Sequence, residues 1–279
     1  MAVRRPRGKV RIGISGFDYP RWRKTFYPES VPRKQWLAHA SRLFPSIELN
    51  GTFYSLKNPR VFEHWVAETP DEDFTFAVKG GRFITHNLKL RNCDVALGNF
   101  FASGVLALGA KTGPLLWQLP ATYRFEHARV EGFLRALPRT TREAEQVARR
   151  HDARLKHGAL TEAPVDLPLR HALEPRHPSY FTPECYELLR AYGCALVIAD
   201  TAGVFPTSDE LTADFVYVRL HGGAELYVSG YTDAELDGWA ERIRTWSRAG
   251  RDVYVYFDND AKVHAPWDAL KLTERVKAA

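Results

Sequence analysis

Eight short stretches of this chain read as strands, several of them alternating apolar with polar or small residues, and helix-like stretches separate most of them. No other feature narrows the fold as far. The stretches are residues 10–15, 46–50, 74–79, 115–119, 167–174, 195–200, 214–222 and 252–257. In the first, Val10, Ile12 and Ile14 alternate with Arg11, Gly13 and Ser15, and in the seventh Val216, Val218 and Leu220 alternate with Tyr217, Arg219 and His221. Side chains two residues apart on an extended chain share a face, so several of these strands have one apolar face and one polar or small face. An open sheet sandwiched between helices needs two apolar faces. A closed barrel needs one: the apolar set packs outward on helices, and the other set lines the interior, where polar residues near the C-terminal strand ends make a site. The pattern predicts an α/β fold, a (β/α)8 TIM-barrel-like domain over residues 10–279.

Helices are expected from near Pro32, with Trp36, Leu37, Ala40, Leu43 and Phe44 on one face, and from Pro59 through Trp65. Further helices are expected over about 93–108, 126–136, 141–155, from Pro183, over 233–248 and over 266–276. Residues 201–213 are too short and broken for one. The aromatics Phe17, Tyr19, Trp22, Phe26 and Tyr27 in the first long loop are read as its packing rather than as a ligand platform.

A net charge of +6 invites a nucleic-acid reading until the charges are located. Arg4, Arg5, Arg7 and Lys9 put four positive charges on a basic N-terminal tail, residues 1–9. Residues 138–165, read as a helical insertion, carry six basic and four acidic side chains. Those two segments account for the whole excess, so the body is neutral. Three scattered cysteines, Cys93, Cys185 and Cys194, suit neither a disulfide framework nor a clustered zinc site. With no long apolar run and no apolar centre near the start, the expected location is cytoplasmic, with no membrane partner.

On the barrel reading, the C-terminal mouth receives Glu48, Asn50, Lys79, Gln118, Glu174, Arg176, Asp200, Arg219, His221 and residues 258–260. That much charge either forms an ion-pair network that only fills the barrel or holds a substrate pocket ready.

The segments SGFDYPRWRKTFYPES, IELNGTFYSL, FTFAVKGGRFITH, WQLP, EPRHPS, YVRLHG and YVYFDND, in that order, resemble the signatures of the domain of unknown function 72 family, the YecE-like proteins. The resemblance runs from about Val10 to the last helix and implies a TIM barrel; it implies no established activity. Phe17 stands where the family commonly has Trp, and Asp258 where it commonly has Asn. Residues 138–165 look like an insertion that shorter members lack.

Site roles therefore come from the residues themselves. Glu48 is read as a general acid or base and His221 as a proton-transfer or anion-binding group. Lys79 is read as a phosphate contact, an electrophile or a Schiff-base amine. Arg82, His86, Arg176, His177 and Arg219 would surround an anionic substrate, with Asn50, Tyr54, Tyr231 and Asn259 completing the binding set. Tyr123, Tyr180 and Tyr227 are further stacking candidates. The leading expectation is an enzyme acting by acid/base chemistry on an anionic, phosphate-bearing substrate, either a nucleic-acid or nucleotide phosphodiester or a sugar phosphate. A non-catalytic nucleic-acid-binding module using the mouth aromatics and the tail is one alternative. A metal-dependent hydrolase or isomerase, with a divalent metal on Asp200, Asp258 and Asp260 plus His177 or His221, is another. No GxGxxG, P-loop or GxSxG signature is present, and no cofactor is predicted.

Overall fold

The computed structural model describes residues 6–70 and 73–278. The basic residues Arg4 and Arg5 of the tail lie outside them. Each expected strand forms: β1 (Val10–Ser15), β2 (Ser46–Leu49), β3 (Thr75–Lys79), β4 (Thr112–Gln118), β5 (His171–Glu174), β6 in two pieces (Ala195–Leu196 and Ile198–Asp200), β7 (Phe215–Leu220) and β8 (Asp252–Phe257). All pairings between them are parallel. The ring closes because β1 pairs with both β2 and β8, while the first piece of β6 pairs with β5 and the second with β7. This is a TIM-barrel-like fold.

The alternation sorts two cores. Ile12, Ile14, Ile47, Val78, Trp117, Leu173, Val218 and Val255 face outward into the helix layer. Ala77, Leu116, Ala172, Val197, Tyr217, Tyr254 and Tyr256 fill the interior. Small side chains on β3, β5 and β6 leave room for tyrosines from β7 and β8, the large-against-small packing that a closed barrel requires. Gly13 belongs to this inner set: a Cβ there would collide with the Ser46 carbonyl of β2.

The outer layer contains α1 (Trp36–Leu43), a single turn α2 (Gly51–Tyr54), α3 (Pro59–Glu68), α4 (Asp94–Ala102), α5 (His127–Ala136), α6 (Thr141–Ala148), α7 (Pro183–Ala191), α8 (Asp233–Arg248) and α9 (His264–Lys277). No regular element forms over 201–213. Three of the first-loop aromatics are packing, as expected: Tyr27 stacks on Trp36 with ring centroids 4.6 Å apart, and Trp22 and Phe26 are buried, while Phe17 and Tyr19 are half-buried.

Three boundaries differ from the sequence reading. The helix expected over 93–108 stops at Ala102, because Gly104 takes φ 124° and the chain continues as a 3-10 segment, Val105–Lys111. The helix expected to reach residue 155 ends at Ala148; beyond it Asp152 accepts from Arg154 N and from Asn99 of α4, an arrangement that fixes a turn. Residues 167–170 do not extend β5: Leu169 N bonds Arg139 O and Pro168 bridges Thr140 antiparallel. The three cysteines are free and buried. No helix among the described residues is long and apolar enough to cross a membrane.

Candidate active site

Register places the polar ends of the strands in two tiers. Ser15 pairs with Glu48 and Glu48 with Ala77, so Lys79, two residues further along β3, stands nearer the mouth than Glu48.

The lower tier is built on Arg219, from the inner face of β7. Its guanidinium is fully buried and surrounded by three carboxylates: Nε donates to Glu48 Oε2 at 3.1 Å, Nη2 to Glu48 Oε1 and Asp258 Oδ2 at 2.8 Å each, and Nη1 to Glu174 Oε2 at 2.9 Å. Glu48 is equally buried and accepts two further bonds, from Ser15 Oγ and from the Tyr217 hydroxyl. Four donors occupy its two oxygens. Glu48 and Arg219, read from sequence as a catalytic carboxylate and a substrate contact, are thus bound to each other beneath the mouth, with no surface turned towards it. Burial opposes the charge on Arg219, but Glu48, Glu174 and Asp258 hold its pKa well above the ordinary value. Burial would raise Glu174 and Asp258, yet Arg176 and Arg219 hold Glu174 down, and Arg219 and His221 hold Asp258 down.

His221 joins the tiers. Arg219 Nη1 donates to its Nε2 at 3.3 Å, which leaves the ring proton on Nδ1, 3.1 Å from Asp258 Oδ2. That contact has ion-pair distance but is too oblique for a hydrogen bond. The edge of Tyr227, in a left-handed conformation at φ 64°, covers the imidazole.

The upper tier is cationic. Lys79 is buried, 9% exposed, with its ammonium 4.7 Å from the centre of the Phe53 ring. Among the described residues no carboxylate lies within 4 Å of it and it makes no hydrogen bond through Nζ. Burial, then Arg219, pulls its pKa down to about 8. His86 packs its edge against Phe53 and shares a hydrogen bond with Thr85 Oγ1; burial, Lys79, Arg82 and Arg176 push it down to about 4. One neutral imidazole therefore senses three cations together. Arg176 donates twice to Glu174 Oε1 and lies over the Phe205 ring at 4.7 Å.

Asn50 donates to Ser15 Oγ at 2.8 Å, linking the tiers. It also lines a mouth-side cavity of about 440 Å³ shared with Phe17, Tyr19, Tyr54, Lys57 and Trp65. Tyr54 is 78% exposed on its rim. His177 is used locally, its Nδ1 accepting from Ser179 N at 3.1 Å. Two residues predicted to bind substrate do other work: Asn259 is buried and donates to Ser229 O and Asp268 Oδ2, and Tyr231 is buried with its hydroxyl accepting from Gly222 N. Both tie the loop after β7 to the C-terminal helix. Tyr123 and Tyr180 are buried against each other.

Alternation alone placed Ser15 and Tyr217 inside the barrel, and that was the signal for the Glu48 partners that the sequence reading left out. Asp258, a mouth residue and metal-ligand candidate by sequence, pairs with Arg219 and His221. Among the described residues no group of three or more His, Cys, Asp or Glu is poised to hold a metal. Where Glu48, Glu174 and Asp258 converge, the Arg219 guanidinium fills the cation position.

A family model described as "Protein of unknown function DUF72" matches residues 11–279. YunF of Bacillus subtilis strain 168 is 25% identical over 288 aligned positions, covering 90% of this chain and 89% of YunF. YecE of Escherichia coli K12 is 31% identical over 114 residues, a match spanning 41% of this chain and only 39% of YecE. The crystal structure of a DUF72 family protein from Thermotoga maritima is similar with a TM-score of 0.76 and 28% identity, covering 96% of this chain and 99% of that one.

Proposed function

The chain belongs to the DUF72 family, and on that premise we propose that it is a barrel enzyme taking a small anionic, phosphate-bearing substrate at its C-terminal mouth. One observation carries the reading: the buried Lys79 ammonium lies over the Phe53 ring, against which His86 packs, with no carboxylate within 4 Å among the described residues, and Lys79, Arg82 and Arg176 all lower the pKa of His86. A buried cation without a partner is costly, and a bound anion removes that cost. In this reading Lys79, Arg82 and Arg176 stabilise negative charge, neutral His86 donates through its outer nitrogen, and the His221–Asp258 pair moves a proton. Glu48 and Arg219 position the others from below. Tyr54 and the cavity beside it receive the uncharged part of the substrate, a sugar or a base.

The exposure of Tyr54 and of Phe83, at 45%, favours nucleic-acid binding as the second reading. Gly8 bonds Ser247, and Lys9 pairs with Asp73, so these two residues lie at the N-terminal end of the barrel, opposite the mouth. A single strand touching both Tyr54 and Lys9 would have to pass around the barrel, which is why a small substrate is preferred. Calorimetric titration with inorganic phosphate tests the proposal: Lys79→Met and Arg176→Ala should each weaken binding by at least tenfold, about 1.4 kcal/mol. Unchanged affinity in both variants contradicts it.

A further inference from the structure

Lys79 has a feature that anion binding alone does not call for. An ammonium that only attracts an anion works best fully charged, as arginine is at such sites. This one is held at the end of a rigid strand, with Thr52 Oγ1 bonded to its carbonyl at 2.7 Å and the Phe53 ring excluding water from one side of Nζ. Asp258, Glu174 and Glu48, the carboxylates that could have paired with it, are turned to Arg219 instead. The barrel mouth thus contains a largely buried amine with no carboxylate in direct contact among the described residues.

We propose that Lys79 is a Schiff-base lysine, and that the substrate is a small aldehyde or ketone whose anionic group rests against Arg82 and Arg176. The inference rests on the anionic-substrate reading above and adds the reacting group. The neutral amine attacks the carbonyl carbon, forming a C–N bond as the carbonyl π pair moves to oxygen. Transfer of a proton from nitrogen to that oxygen gives the carbinolamine. The hydroxyl then takes a proton from solvent and leaves as water, and the nitrogen lone pair forms the protonated imine. Water reverses the sequence. With its pKa near 8, roughly a tenth of the amine is neutral at pH 7, about 200-fold more than for an ordinary lysine.

Reductive trapping with glyoxylate as the probe and cyanoborohydride as the hydride source, read by peptide mass spectrometry of the intact protein after digestion, tests this. Hydride reduces the imine carbon and leaves a carboxymethyl group on the reacting nitrogen. Lys79 is expected to be labelled at least tenfold faster than the exposed Lys34 and Lys262 near neutral pH, with inorganic phosphate slowing the reaction and acetaldehyde labelling Lys79 less than glyoxylate does. Labelling of Lys79 no faster than Lys34 and Lys262, in protein whose phosphate binding still depends on Lys79, overturns the Schiff-base role and leaves the anionic site standing. Fast labelling equal for acetaldehyde and glyoxylate, and untouched by phosphate, overturns the anionic substrate class and the reading beneath it.

Discussion

Glu48 and Lys79 leave neighbouring strands with opposite charges, and a pairwise reading would join them. The residues prevent it. Arg219 takes both oxygens of Glu48, and Ser15 and Tyr217 complete it, while Lys79 stands nearer the mouth without a carboxylate. The stability of the protein should register the difference. Lys79 has a folded-state pKa near 8, below its unfolded value near 10.4, so the unfolded chain binds more protons between those values and stability gains as pH rises through that window. Below pH 8 the full cost of the buried charge is present, about 3 kcal/mol. Lys79→Met should therefore be more stable than the parent at pH 7 by urea denaturation, with the advantage shrinking towards pH 10; a destabilised Lys79→Met at pH 7 would show that the charge is paired. Arg219 is the reverse case. Arg219→Met leaves three carboxylates without their cation and should cost about 5 kcal/mol or prevent folding, whereas Glu48→Gln leaves Arg219 two carboxylates and should cost about 1–3 kcal/mol. Equal losses would contradict the lower tier described above. The sequence made all these residues legible as inward-facing by alternation. It did not show who pairs with whom, because the partners of Arg219 come from β2, from β5 and from the residue after β8.

At the scale of elements, the eight strands were readable as short apolar stretches bounded by turn residues, several of them carrying one apolar face in period two. Helix ends were less readable, since what stops α4 and α6 is a single glycine conformation and a long-range carboxylate bond rather than a change in residue type. The turn after β2 is the helical turn α2, and it brings Phe53 over Lys79. The passage after β3 has a similar dependence on one residue. Gly80 N bonds Leu116 O of β4 at 2.7 Å, and a Cβ at this position would enter the Trp117 ring. Gly80→Ala should cost about 1–3 kcal/mol in denaturant and, because it follows Lys79 directly, lower phosphate affinity as well. Full stability with unchanged affinity would mean that the loop bearing Arg82 and His86 adapts without disturbing the site.

For the whole molecule, the neutral charge of the body conceals a division along the barrel axis. The lower tier sets Arg219 among three carboxylates, one of which, Glu174, also pairs with Arg176; above them Lys79, with Arg82 and Arg176, acts on one neutral histidine. Net charge could not reveal this, because it sums over both tiers and over a tail rooted at the opposite end. The central claim is that the mouth contains an unpaired lysine awaiting an anion, and the direct measurement is the pH titration of the Lys79 Cε resonance by carbon NMR, with and without inorganic phosphate. A midpoint near 8 that moves up when phosphate binds is expected, since an anion beside the ammonium favours its charged form. A midpoint at the ordinary lysine value, indifferent to phosphate, would contradict it.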